Sequence, residues 1–238
     1  MKSELKLNRN PKSRFSESIK TVRTNLAFST MNENLKVLLV TSPEMGDGKS
    51  FIAANLAVAY AQEGKKVLVI DADLRRGRQH QIFDIANSSI GGYSNLILKF
   101  KQSTRLSRYI YPTATRNVFL LPTGPTPPNP TELLGSDNNR ALLEGLKEVY
   151  DIIIVDCPPA LGLSDAIIMT KYSDANVVVI SNNKTKIESL DRVKKTFEQS
   201  NAKITGVIFN KAKVNTGGYY GYYGYYANNG YYGEVDGE

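Results

Sequence analysis

The sequence predicts an α/β fold: a doubly wound, mainly parallel sheet with helices on both faces. Three observations carry this. Six short runs of β-branched and aliphatic residues are almost continuously apolar, as strands buried on both faces require. Helical stretches alternate with those runs, which calls for right-handed βαβ crossovers. A Gly-Lys-Ser loop and several aspartates fall at the carboxyl ends of the strands, where such sheets bind ligands.

In chain order, residues 15–29 (FSESIKTVRTNLAFS) read as one amphipathic helix ahead of the sheet. The first strand is KVLLVTS (36–42), and SFIAANLAVAYAQEG (50–64) is a helix ending at Gly64. KKVLVIDAD (65–73) and NVFLLP (117–122) are the next strands. The proline-rich stretch 122–134 reads as a stiff loop beside the site, and 132–150 as a helix. YDIIIVD (150–156), NVVVIS (176–181) and ITGVIFN (204–210) are the remaining strands, with a helix over 188–200. No repeat appears before the end of the chain.

That end is different. Residues 217–234, GGYYGYYGYYANNGYYGE, hold eight of the fourteen tyrosines among Gly, Ala and Asn. Frequent glycine raises the entropy cost of ordering, and no aliphatic residue offers a core, so a flexible tail is expected. The organisation is therefore a basic arm with its helix (1–35), the α/β domain (36–212) and the tyrosine-rich tail (213–238).

Composition narrows the function classes. The chain has 238 residues and 41% hydrophobic content, enough for one large core. Runs such as VLLV and IIIV are far too short to span a bilayer, and the basic start has no apolar stretch of a secretory signal. One cysteine, Cys157, excludes an internal disulfide and fits a reducing cytosol. Seven basic groups against two acids in residues 1–23 give +5 of the net +7. The basicity belongs to the arm, which suits a membrane surface or protein partner better than nucleic acid.

The chemistry lies at the strand ends. TSPEMGDGKSF (41–51) leads from strand to helix: Gly46 and Gly48 permit a tight loop of inward N–H groups, Lys49 can reach the outer phosphates, and the Ser50 hydroxyl can ligate Mg²⁺. Pro43 stands where the first glycine of the usual phosphate-loop pattern falls. Asp71 and Asp73 end the second strand, placing negative charge where a metal compensates it; Asp73 is equally a good helix cap. Asp156 ends IIIVD, where such proteins hold Mg²⁺ directly or through water. Cys157 reads as a packing residue and His80, the only histidine, as a solvated loop residue, so no nucleophile–histidine machinery is available. The outcome is an ATPase or a phosphotransferase, and a tyrosine hydroxyl, pKa near 10, is an acceptor that a carboxylate can assist.

These motifs carry a resemblance. VIDADLR resembles the second phosphate-site motif of the bacterial tyrosine kinases of capsule and exopolysaccharide systems, TSPEMGDGKS their first motif and IIIVDCPP their third. PTGPTPPNPTELL and the terminal tyrosines are similar to theirs, and ESIKTVRTNL resembles their ring-assembly helix, with Lys20 replacing an arginine and so lacking its planar fork. The resemblance implies a deviant P-loop NTPase fold shared with MinD/ParA-like ATPases, and a cytoplasmic kinase of the Gram-positive type. It implies ATP bound by Ser42, Gly46, Asp47, Gly48, Lys49, Ser50, Phe51 and Asn210, and Mg²⁺ held by Ser50, Asp71, Asp73 and Asp156, with Lys49 and the three aspartates catalytic. Acceptors would be Tyr219, Tyr220, Tyr222, Tyr223, Tyr225, Tyr226, Tyr231 and Tyr232. They would be phosphorylated between subunits of a ring joined through Glu17, Lys20 and Arg23. Implied partners are a membrane adaptor that brings the kinase to the inner face of the membrane, and a cognate phosphatase; cycling would regulate polysaccharide polymerisation and export. The rival is a positioning ATPase, but Glu44 stands where that group carries a lysine.

Overall fold

Five-residue runs of Val, Leu and Ile become strands with every residue buried, because no position in them is suited to water. The computed structural model describes residues 5–30, 35–85, 91–100 and 106–212. The tail tyrosines, Tyr219 to Tyr232, lie outside the described residues. In chain order the elements are α1 (Lys6–Arg9), α2 (Arg14–Ser29), β1 (Val37–Thr41), α3 (Lys49–Gln62), β2 (Val67–Asp71), α4 (Gln79–Ile82), α5 (Tyr93–Lys99) and β3 (Tyr111–Pro112). They continue with β4 (Val118–Leu121), α6 (Pro130–Leu134), α7 (Asp137–Lys147), β5 (Ile152–Asp156), α8 (Asp165–Met169), β6 (Ala175–Ser181), α9 (Ile187–Gln199) and β7 (Gly206–Asn210).

The seven strands lie in the order β3-β4-β2-β5-β1-β6-β7. All pairings are parallel except β3 with β4, a short antiparallel edge. The mainly parallel, doubly wound α/β sheet expected from the sequence is therefore present. One face packs Leu38, Val40 and Val69 under α3 and its Leu56; the other packs Leu39, Leu68 and Ile153 under α5, α7 and α9, with Leu142 and Phe197.

Four expectations are corrected. The helix expected over 132–150 is two: Gly135 ends α6, and the Ser136 hydroxyl, accepting from the Asn139 N–H at 3.3 Å, starts α7. Pro130 sits at the start of α6, so the proline-rich stretch is helical over its last residues rather than a loop throughout. The second strand stops at Asp71, leaving Asp73 in the following turn. His80 lies in α4, partly buried, and burial lowers its pKa.

The N-terminal segment is built into the fold. Leu5, Leu7, Ile19 and Leu26 belong to the core beneath α3. The Leu7 N–H donates to Asn55 Oδ1 at 3.2 Å, and Lys6 stands over the rings of Phe15 and Phe51, each 5.6 Å away. Arg23 donates to the Ala59 carbonyl at 2.8 Å and pairs with Glu63 at 2.5 Å.

Candidate active site at the carboxyl ends of three strands

Because β2, β5 and β1 are neighbours, the segments leaving them converge. Asp71 and Asp156 are partners in register, as are Val40 and Asp156. The loop from β1 to α3 turns through Gly46 (φ 81°) and Gly48 (φ 101°), a left-handed path costly for other residues. A Cβ on Gly48 would collide with the Asn210 carboxamide.

Within this frame Lys49 lies among acids. Its ammonium is 3.3 Å from Asp73 Oδ2, 3.4 Å from Asp156 Oδ1 and 3.2 Å from Ser50 Oγ. Burial pulls the Lys49 pKa down, but Asp156, Asp73 and Asp71 together outweigh it and hold it above the ordinary lysine value. Asp73 does two things: its other oxygen accepts the Arg76 N–H at 3.0 Å, capping a turn rather than a helix. Burial, reinforced by Asp156, pushes the Asp71 carboxyl well above the usual range. Cys157 is fully buried, and burial with Asp156 beside it pushes its thiol up, which suits packing.

The remaining expected residues divide by what their side chains already do. Ser42 Oγ donates to the Glu44 carbonyl at 2.7 Å, and the Asp47 carboxylate accepts the Glu44 N–H at 2.9 Å and the Thr185 hydroxyl at 3.0 Å. Asn210 Nδ2 donates to the Asp47 carbonyl at 2.8 Å. These three side chains brace the loop, Ser42 and Asp47 from within and Asn210 from the end of β7. The Phe51 ring meets Phe15, centroids 5.2 Å apart, so what Phe51 offers a nucleotide is its backbone N–H. Sequence reasoning missed three bracing contacts: Lys184 on the Met45 carbonyl, Lys211 on the Gly46 carbonyl at 2.8 Å, and Ser189 on Glu44 at 2.7 Å. It also missed Gln79, whose backbone N–H bonds Asp71 and whose side chain bonds Asp156.

The donor set fits a nucleotide with a hard divalent cation. Two aspartates pair with Lys49 and a third, Asp71, lies in its field, and Asp71 Oδ1 and Gln79 Oε1 are buried oxygens without a partner among the described residues, a surplus of acceptors that Mg²⁺ and its waters would satisfy. Ser50, Asp71, Asp73 and Asp156 would hold it, and the loop's amides with Lys49 would hold the phosphates.

A phosphate loop between β1 and α3, with aspartates ending the adjacent β5 and the next strand β2, defines a P-loop nucleotide-binding domain. The AAA domain family profile matches residues 42–208. YwqD, a tyrosine-protein kinase of Bacillus subtilis, is 39% identical over 89% of this chain and 87% of its own. CapB of Staphylococcus aureus is 38% identical over 98% of this chain and 96% of its own. The crystal structure of the chimerical protein CapA2B2 superposes with a TM-score of 0.82 at 34% identity, covering 88% of this chain and 90% of that one. The chain belongs to the bacterial tyrosine-protein kinases.

Proposed function

We propose that the protein is an ATP- and Mg²⁺-dependent protein-tyrosine kinase that phosphorylates its own C-terminal tyrosines between subunits. The observation that carries this reading is where the last described strand ends. β7 finishes at Asn210, whose carboxamide bonds the phosphate loop, and Lys211 bonds the same loop. The chain therefore leaves β7 beside the phosphate loop. From Asn210 to Tyr219 is a leash of at most about 30 Å, short enough to keep the acceptors near such sites.

Roles follow from the geometry. The loop N–H groups and Lys49 take the phosphates, Lys49 exchanging its carboxylate partners for phosphate oxygens. Bound Mg²⁺ supplies charge neutralisation on the transferring phosphoryl group. The acceptor hydroxyl attacks the γ-phosphorus as its bond to the leaving oxygen breaks, and its proton passes to a carboxylate among Asp71, Asp73 and Asp156. Accumulating phosphate turns the tail anionic, roughly −1.5 to −2 per group, which favours release of subunits from a ring.

The partners are part of the same reading: a membrane adaptor recruiting the kinase to the inner face of the membrane, a phosphatase that resets the tail, and control of polysaccharide export. Among the described residues no helix is long and apolar enough to cross a membrane.

The experiment mixes two proteins: full-length Lys49→Met, which has acceptors but lacks the ammonium, and active chain ending at residue 212. With ATP and Mg²⁺, mass spectrometry is expected to find several phosphotyrosines on the Lys49→Met chain. A Lys49→Met chain that gains phosphate on its own sinks the kinase assignment; one that gains none from its partner sinks transfer between subunits.

A further inference from the structure

Gln79 was not among the residues that the motifs single out, yet it bonds as many of the site's residues as Lys49 does. It is fully buried. Its backbone N–H donates to Asp71 Oδ2 at 2.9 Å. Its Nε2 donates to Asp156 Oδ2 at 2.8 Å and to the Ser50 carbonyl at 3.0 Å. One residue thus joins the ends of β2 and β5 to the first turn of α3.

The orientation of the carboxamide is chemically forced. A carboxylate and a backbone carbonyl only accept, so the nitrogen, with its two protons, must face both. The oxygen then points elsewhere, and Oε1 is buried without a partner. Its neighbour in the same network, Asp71 Oδ1, is a second buried oxygen in the same condition. Buried acceptors of this kind are rare in folded proteins and call for a donor. Within this network the Gln79 amide is engaged by Asp156 and the Ser50 carbonyl, and Lys49 by Asp73 and Asp156.

We propose that Gln79 is a positioning residue for the magnesium ion of bound nucleotide: its amide fixes the Asp156 carboxylate, and its free carbonyl accepts a hydrogen bond from a water carried by the ion. The proposal rests on the kinase reading above. A metal-bound water is a polarised, donor-rich ligand, matched to a neutral oxygen beside carboxylates. Groups that hold a metal's own ligands in place commonly change metal affinity by about 10- to 100-fold when removed. Gln79 accordingly sets the magnesium requirement rather than the affinity for nucleotide itself.

The test uses the full chain with Gln79→Leu, which keeps the volume and deletes both polar atoms, and Gln79→Met as a second variant should the first fail to fold. A fluorescent ATP analogue is titrated in EDTA, and Mg²⁺ is then titrated into the protein–nucleotide complex. Expected are an EDTA affinity within about twofold of the unaltered chain and a Mg²⁺ midpoint raised about tenfold or more. At saturating Mg²⁺, kcat is expected to fall with KM for ATP nearly unchanged. An unaltered Mg²⁺ midpoint overturns the proposal, and so does a parallel loss of nucleotide affinity, Mg²⁺ response and melting temperature, which marks a merely structural residue. Should the unaltered chain itself show no Mg²⁺-linked binding of the analogue, the kinase reading falls first, and this inference with it.

Discussion

Asp71 and Asp156 end neighbouring parallel strands as register partners, and both are completely buried. Two carboxylates so placed cannot both ionise cheaply, and burial together with Asp156 raises the pKa of Asp71 above 3.8. The folded state thus holds a proton on Asp71 more tightly than the unfolded chain does. As pH rises above the ordinary carboxylate range, ionisation in the unfolded chain draws stability away, until pH passes the folded-state value. Asp71→Asn has no such cost and can still accept the Gln79 N–H. It is expected to melt above the unaltered protein at pH 7, with the gap closing towards pH 4, while phosphoryl transfer falls by at least about 100-fold. Paired melting curves across pH and a rate measurement check it; a variant that melts lower at pH 7 contradicts it.

Gly77 tests how tightly that carboxylate is held. A Cβ there would lie 2.6 Å from Asp71 Oδ2 and clash with the Thr123 methyl. Gly77→Ala must push the acid or the segment after β4. Overpacking of this kind costs about 1–3 kcal/mol, so a lower melting temperature is expected, with a rate loss larger than the stability loss alone explains. Normal kinetics in a folded Gly77→Ala protein would show that Asp71 has freedom the structure denies it.

The pattern of the sheet was legible in the sequence because continuous apolar runs have few other uses, and the site because Lys49, Asp71 and Asp156 end or follow those runs. What was hidden shares a cause. Thr185, Lys184 and Lys211 reach the loop, and Gln79 reaches Asp156, from segments distant in the chain, and no local spacing marks a polar residue that topology will bring to a site. Arg23 is similar: its charge suggests an exposed contact, yet its guanidinium is mostly buried against the end of α3. Short elements such as α4 and β3 hold too few residues to show a period.

Tyr60 carries a pH effect remote from the site. It is 6% exposed, its hydroxyl has no partner among the described residues, and burial pushes its pKa up to about 12. A raised folded-state value means stability is intact below pH 10 and is lost as pH rises towards 12. Phenylalanine lacks the titrating group and leaves no oxygen unpaired. Tyr60→Phe is expected to equal or exceed the unaltered stability at pH 7 and to flatten the alkaline loss, as read by denaturant titration at pH 7 and above pH 10. Identical alkaline limbs would mean that Tyr60 ionises freely.

The last prediction separates folding from assembly on α2. Arg23 is spent inside its own subunit: it caps the Ala59 carbonyl at 2.8 Å and pairs with Glu63, whose side chain is 47% exposed. Glu17 and Lys20 instead form an outward pair at 2.7 Å, with Lys20 also on the Pro11 carbonyl. Exposed pairs one turn apart contribute little to a monomer, about 0.3–0.5 kcal/mol at most. If α2 docks on a neighbouring subunit, the outward pair is what it presents. Glu17→Ala with Lys20→Ala is expected to leave the melting temperature within a degree or two and to lower the mass seen by light scattering. Arg23→Ala is expected to behave differently, costing about 1–3 kcal/mol of stability because a charge-assisted bond to a buried carbonyl is lost and α2 loosens from α3. Any change in assembly it causes would then follow the loss of stability, whereas the double variant would change assembly alone. A double variant with unchanged mass, beside a destabilised Arg23→Ala, would assign this helix to the fold and remove it from the interface.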